Sequence, residues 1–311
     1  MSRALLDALA LVEAAGTAAP DAPALPAAPL PSLMRRCADE VAAAPAPEPV
    51  RLLHHLACTG GTVIARALAV MPGVTLLSEI DPLSPLGLPA RDETPPFRPH
   101  DLIFAGRVAV RPISDRQASA IFTAGLKVLQ ADMVAEGRHL VLRDHAHSRF
   151  CTDAAPAARP GVETLAAQVA PVRRAVTVRH PMDSFLSLQA NGWMHFDPPT
   201  LDAYAARYHA FLDAHEGVTR LRYEDFAADP EAVLKRLCAT LELPYRPGAD
   251  ARLALARVSG DSGRRGDRIA PRPPKPVPDT LAEAARDSAG YAALLARLGY
   301  DDGDREGDRH G

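Results

Sequence analysis

The sequence predicts an α/β fold, a parallel β-sheet flanked by helices in three layers, and three observations predict it. Short apolar runs alternate with amphipathic segments from Val50 onward, the pattern of βα units whose strands pair in parallel. The first run, VRLLHHLA, passes through CTGGT straight into a helical segment, TVIARALAVM. A later run, RAVTVRH, is ended by Pro181, which lacks a backbone donor and opens a helix. Sheets of this kind bind ligands at the C-terminal ends of their strands.

Three segments are expected along the chain. Residues 1–49 read as an N-terminal helix and an Ala/Pro-rich extension. Leu5, Leu6, Leu9 and Val12 share one helical face, interrupted by Asp7 and Glu13, so the start is amphipathic and not a signal peptide. Ala18 to Pro49 is a linker or surface wrap with a short helix around Leu33 to Ala44. Residues 50–300 are expected to form one large domain, and 301–311 a charged tail.

Within that domain, VTLLSE follows Pro72-Gly73 as the second strand, and residues 83–112 read as a long loop over a binding face. A helix from Gln117 to Glu136 stops at Gly137, and HLVLRDH is the next strand. After RAVTVRH come a helix to about Asn191 and another from Thr200 to His215. GVTRLRYEDF reads as a strand, and DPEAVLKRLCATLEL as a helix with Asp229 as N-cap. A basic Gly/Arg stretch (257–275) and a final helix (280–298) complete the domain.

Composition narrows the partners. Hydrophobic residues make up 47% of the chain, enough for a core. The 35 basic and 38 acidic residues leave a net charge of −3, which argues against a general nucleic-acid binder but leaves room for a local anion pocket. Cys37, Cys58, Cys151 and Cys238 form no CxxC pair, so neither a zinc site nor a disulfide framework is expected, and a reducing, cytoplasmic setting fits best. No apolar run is long enough for a membrane span. The acceptor and the oligomeric state leave no signal in the sequence.

Two junctions carry anion chemistry. At the first, Gly60 and Gly61 permit a tight turn, Thr59 and Thr62 add hydroxyls, and the following helix presents the positive end of its dipole. No lysine follows the glycines, so this is not a Walker A loop, and an ordinary βα turn is the alternative reading. At the second, Arg179 ends a strand and Ser187 lies eight residues beyond it. The two can converge on one anion, the arginine through forked charge-assisted bonds. Alternatively, they are a surface arginine and a routine helix serine.

Together these motifs resemble the sulfotransferases that use 3′-phosphoadenosine 5′-phosphosulfate. The family's 5′-phosphosulfate loop, close to [KR]SGTT, matches Cys58-Thr59-Gly60-Gly61-Thr62. Its 3′-phosphate motif matches Arg179 and Ser187, and its YED segment matches Tyr223-Glu224-Asp225. The matches fall in the family's order across roughly residues 50–270. The resemblance implies a P-loop-containing, sulfotransferase-like sandwich and direct sulfuryl transfer to a hydroxyl of a small-molecule or peptide acceptor, with no divalent ion. It also implies that Tyr223 stacks on the adenine and that Arg264 and Arg265 close over the 3′-phosphate. A core tyrosine and a solvated basic loop are the bland counterparts.

One departure stands out. Cys58 occupies the position where the family usually carries lysine or arginine. Arg143, at the end of HLVLRDH, is the expected replacement by its similarity to a strand-end lysine of the protein-tyrosine sulfotransferases. Arg66, His54 and His55 are weaker candidates. Similarity to the same enzymes makes Glu79 the general base, with His145 in reserve, while a loop cap or arginine partner is the plain reading of Glu79. Asp144, His145 and His147 also read as a metal cluster, though no fuller ligand set accompanies them. Trp193 belongs to an acceptor pocket or to the core. A small-molecule kinase and a non-catalytic nucleotide-binding protein are the competing functions.

Overall fold

The computed structural model describes residues 47–90, 93–256, 258–259 and 269–301, with Ala10, Arg35 and Arg36 of the N-terminal stretch. The chain divides into two compact units, Met1–Ala46 and Pro47–Gly311, and the fold described is that of the second.

Five parallel strands form one sheet among the described residues: β1 (Val50–His55), β2 (Val74–Ile80), β3 (His139–Asp144), β4 (Val172–Val178) and β5 (Thr219–Arg222). Their order is β2-β3-β1-β4-β5. The chain leaves β1 towards one edge and β4 towards the other, so the loops beyond these neighbours diverge and open a crevice at their C-terminal ends. The expected parallel α/β sheet is present.

Helices cover both faces, in chain order α1 (Gly61–Ala69), α2 (Leu102–Arg107), α3 (Asp115–Ala135), α4 (His147–Phe150), α5 (Val162–Ala166), α6 (Pro181–Ala190), α7 (Leu201–Ala214), α8 (Tyr223–Ala228), α9 (Pro230–Thr240), α10 (Asp279–Asp287) and α11 (Ala289–Leu298). Side chains alternate between faces along a strand. Leu53 therefore packs with Ile64, Leu68 and Leu237 beneath α1 and α9, while Val50 and Leu52 pack with Leu126 and Met133 of α3. A third cluster joins Val176 and Val178 to Phe185, Tyr204, Tyr208 and Phe211 of α6 and α7. All six residues of β1 are buried, as a strand covered on both faces requires.

Three elements differ from the sequence reading. The 83–112 loop contains α2, whose N-cap Asp101 accepts from the Phe104 amide; six residues are too few to show a period. GVTRLRYEDF is strand only over Thr219–Arg222, and YEDF turns into α8 because Glu224 and Asp225 suit the positive first turn of a helix. The expected single helix at 280–298 is broken at Ser288, whose hydroxyl accepts from the Tyr291 amide and caps α11. The helix opening at Asp115 begins with a full capping box between Ser114 and Gln117.

Candidate active site

A cavity of about 520 Å³ opens at the C-terminal edge of the sheet, and all five strand ends feed it. The turn after β1 supplies Cys58, Gly60, Gly61 and Thr62; β2 supplies Glu79; β3 supplies Arg143, followed by His145. Arg179 follows β4, and Tyr223 follows β5.

Close packing explains both glycines of the turn. Gly60 has a left-handed φ of 84°, and a Cβ there would lie 2.1 Å from the Tyr223 ring. A Cβ on Gly61 would lie 2.3 Å from the His55 ring. The first-turn N–H groups of α1, which no intrahelical carbonyl can accept, belong to residues that line the cavity. Thr59 behaves differently from the sequence expectation. It is fully buried, and its hydroxyl donates 2.7 Å to the Leu56 carbonyl, so it braces the turn from within.

Arg143 is 2% exposed and organises the centre of the site. Its Nη2 donates to Thr62 Oγ1 at 2.7 Å, and its Nε donates to His55 Nε2 at 2.9 Å. Its Nη1 meets Ser78 Oγ at 2.7 Å and Glu79 Oε1 at 2.7 Å. Burial lowers the Arg143 pKa, and Glu79 opposes that shift. His55 is held well below its usual range by burial and by Arg143, so it is a neutral acceptor and not the missing cation. Arg66 instead donates to the Leu253 and Ala256 carbonyls, and it does not line the cavity.

A bulge accounts for the placement of Glu79. Leu77 pairs with Leu142 and Ile80 with Asp144, so Ser78 and Glu79 together stand opposite Arg143. Glu79 has φ 60°, a conformation that non-glycine residues adopt at a cost of about 1–3 kcal/mol. Bulges re-aim side chains in this way. The other Glu79 oxygen lies 3.8 Å from His145 Nε2.

On the β4 side, Arg179 stands 4.7 Å from the Tyr223 ring centroid, and its Nη1 donates to the Cys58 carbonyl at 3.4 Å. Tyr223 is buried, and its ring packs against Gly60 as well as beneath Arg179. Ser187 also lines the cavity; its hydroxyl donates to the Asp183 carbonyl and accepts from Lys275 Nζ at 3.0 Å. Lys275 and Arg272 belong to the stretch PRPPKP, whose closely spaced prolines favour an extended strap. Arg264 and Arg265, the expected 3′-phosphate contacts, belong to the same basic region. Those two lie outside the described residues, and the strap's prolines were the signal for Arg272 and Lys275.

The remaining wall is aromatic. His147 stands 6.3 Å from Trp193 and 5.2 Å from His195, both edge to face. Burial, then His145 and His195, push the His147 imidazole down to about 3. Trp193 packs against the α6–α7 cluster, as the core reading expects, and its ring also lines the cavity. The proposed grouping of Asp144 with His145 and His147 does not form. Asp144 turns to the opposite face and accepts from His54 Nδ1 at 2.7 Å.

The family model described as "Sulfotransferase family" matches residues 56–247. The chain belongs to the sulfotransferase family. The matched region of this sulfotransferase contains the turn, Glu79, Arg143, Arg179, Ser187 and Tyr223, and it ends before the strap. Among solved structures, the chain is similar to the sulfotransferase domain from the Synechococcus PCC 7002 olefin synthase, at 15% identity over 82% of this chain and 96% of that one, with a TM-score of 0.48. It is also similar to sulfotransferase STF9 from Mycobacterium avium, at 15% identity over 87% and 81%, with a TM-score of 0.38. Mouse sulfotransferase SULT7A1, solved in complex with PAP, matches at 14% identity over 67% and 64%, with a TM-score of 0.35. No curated protein matches the sulfotransferase.

Proposed function

We propose that the chain transfers a sulfuryl group from 3′-phosphoadenosine 5′-phosphosulfate to an acceptor hydroxyl by in-line displacement. The observation that carries this reading is Arg143. From β3 it places a guanidinium against Thr62, filling with charge the turn that Cys58 leaves uncharged. Arg143, Arg179, Arg272 and Lys275 line the cavity, and among the described residues Glu79 is its one lining carboxylate, which suits a donor bearing several negative charges.

In this reading the first turn of α1 holds the 5′-phosphosulfate, and Arg179, Ser187 and Lys275 hold the 3′-phosphate. Tyr223 acts chiefly by fixing Gly60 and Arg179. The acceptor, on a small molecule or peptide, enters along Trp193, His195 and Leu86. Glu79, with His145 in reserve, takes the hydroxyl proton as the acceptor oxygen attacks sulfur. The sulfur–oxygen bond to the 5′-phosphate breaks, and Arg143 stabilises the charge left on adenosine 3′,5′-bisphosphate. No helix among the described residues is long and apolar enough to cross a membrane, and Cys58, Cys151 and Cys238 are free thiols. A reducing cytoplasm is part of the proposal.

Calorimetry with adenosine 3′,5′-bisphosphate against ATP, followed by turnover of sulfur-labelled donor over a panel of phenols, sugars and tyrosyl peptides, tests the function. Tighter binding of ATP would overturn the donor assignment. Tight bisphosphate binding without label transfer to any acceptor would leave a nucleotide-binding protein.

A further inference from the structure

On the face of β1 and β3 turned away from Arg143 lies a second polar cluster. Alternation puts His55 and Arg143 on the cavity side, and it puts their neighbours His54 and Asp144 on the other. His215, the C-cap of α7, closes over them, its ring centroid 4.3 Å from that of His54. His54 and His215 are 0% and 1% exposed, and neither they nor Asp144 line the cavity.

The hydrogen bonds fix the tautomers. His54 Nδ1 faces a carboxylate oxygen of Asp144 at 2.7 Å, so that nitrogen carries the proton. His215 Nδ1 faces the Phe211 carbonyl at 2.7 Å and must likewise be the donor. His215 Nε2 is therefore a lone pair, and the Nε2 atoms of both rings are buried with no hydrogen-bond partner among the described residues. Two buried ring nitrogens without a partner are costly, and such groups call for an occupant. One ligand atom each from His54, Asp144 and His215 lies within 4.8 Å of the others.

We propose that this cluster binds a divalent transition-metal ion of the zinc class, held by Nε2 of His54 and of His215. Asp144 orients His54 through Nδ1 and brings negative charge, as the carboxylate behind a ligating imidazole does in metalloproteins. The Phe211 carbonyl orients His215 in the same manner. Two imidazole nitrogens beside one carboxylate suit zinc better than magnesium or calcium, which prefer oxygen ligands. Glu163 adds a further negative charge that acts on both imidazoles; it is paired with Arg149, and Arg174 opposes it at His215. The site tethers the centre of the sheet to the end of α7 and takes no part in the transfer step.

The test is uptake of cobalt(II), a coloured stand-in for zinc, by the full-length protein after dialysis against a chelator. One equivalent should bind with the visible bands of a low-coordinate site, and equimolar zinc should displace it and raise the melting temperature. His215→Gln should weaken binding more than about tenfold, and Asp144→Asn about 10–100-fold. His195→Gln, in the cavity wall, should leave binding unchanged. No uptake by the wild type, uptake retained in a folded His215→Gln variant, or uptake lost in His195→Gln would each overturn the proposal. X-ray absorption on the zinc-loaded wild type needs no variant: two imidazole ligands support the site, and fewer than two refute it.

Discussion

Arg143 donates to Thr62 at 2.7 Å while pairing with Glu79 at 2.7 Å, so one buried guanidinium joins the anion-binding turn to the proposed base. Sequence neighbours could not supply this link, because the three residues sit on α1, β3 and β2. Arg143→Ala should lower kcat by about 10²–10³, the effect of removing one preorganised donor from a transition state. Cys58→Ser should be nearly silent, and Cys58→Lys should partly rescue Arg143→Ala. Steady-state kinetics on the four proteins decides it. A dead Cys58→Ser enzyme beside an active Arg143→Ala would reverse the roles.

Glu79→Gln keeps the shape and hydrogen-bonding reach of the side chain but cannot accept the acceptor proton. We expect kcat to fall by about 10²–10⁴, the usual contribution of a positioned acid or base. The bisphosphate Kd should change less than about threefold, because the lost interaction belongs to the transition state. His145→Ala should cost much less. If His145→Ala were the more damaging change, the imidazole 3.8 Å from Glu79 would take over as base.

The sheet and the glycine turn were legible in the sequence because each is local, and Arg179 and Ser187, read from one βα junction, both line the cavity. The turn needs glycines for reasons that Tyr223 and His55 make visible only in three dimensions. Other features were out of reach. The bulge that brings Ser78 and Glu79 to the same arginine breaks strand alternation, the very rule by which a sequence is read. Thr59 has the composition of an anion ligand, yet its hydroxyl points inward to Leu56. Adjacent histidines 54 and 55 looked equivalent, but alternation sends one to Arg143 and the other to Asp144.

Arg179, Ser187 and Lys275 should share the 3′-phosphate unequally. Arg179→Ala should weaken bisphosphate binding by about 2–5 kcal/mol, the range for truncating one side of a buried charge pair. Ser187→Ala should cost about 1 kcal/mol. Lys275→Ala should weaken binding less than Arg179→Ala and flatten its salt dependence, since the lysine is exposed on the strap. Calorimetry at two ionic strengths separates the three. Unchanged affinity in a folded Arg179→Ala protein would remove this junction from the donor site.

Magnesium should not stimulate turnover. The cavity's charge comes from side-chain cations, and its one carboxylate among the described residues is committed to Arg143. Activity assayed with EDTA, well below the melting temperature, should match activity with added magnesium. Zinc, in contrast, should act on stability through the His54–His215 cluster. A rate that vanished with EDTA and returned with magnesium would favour phosphoryl transfer.

Cys58 faces the cavity with a left-handed φ of 64°, which invites the question of a covalent intermediate. Burial pushes its thiol up to about 11, and Arg179 only partly offsets that. The thiolate is the reactive form, so at neutral pH very little of Cys58 is competent to attack. A rise of about two pH units over an ordinary cysteine lowers the thiolate fraction by roughly 100-fold. Iodoacetamide at pH 7.5 should therefore label Cys58 roughly 100-fold more slowly than an ordinary exposed cysteine. The rate should climb about tenfold per pH unit up to pH 10, because the group titrates above that range. Arg179→Ala, which removes the lowering influence, should slow labelling further. Mass spectrometry of the Cys58 peptide over time reads all three effects. Rapid labelling at pH 7, together with loss of activity in Cys58→Ser, would make the thiol a nucleophile and replace direct transfer with a two-step route.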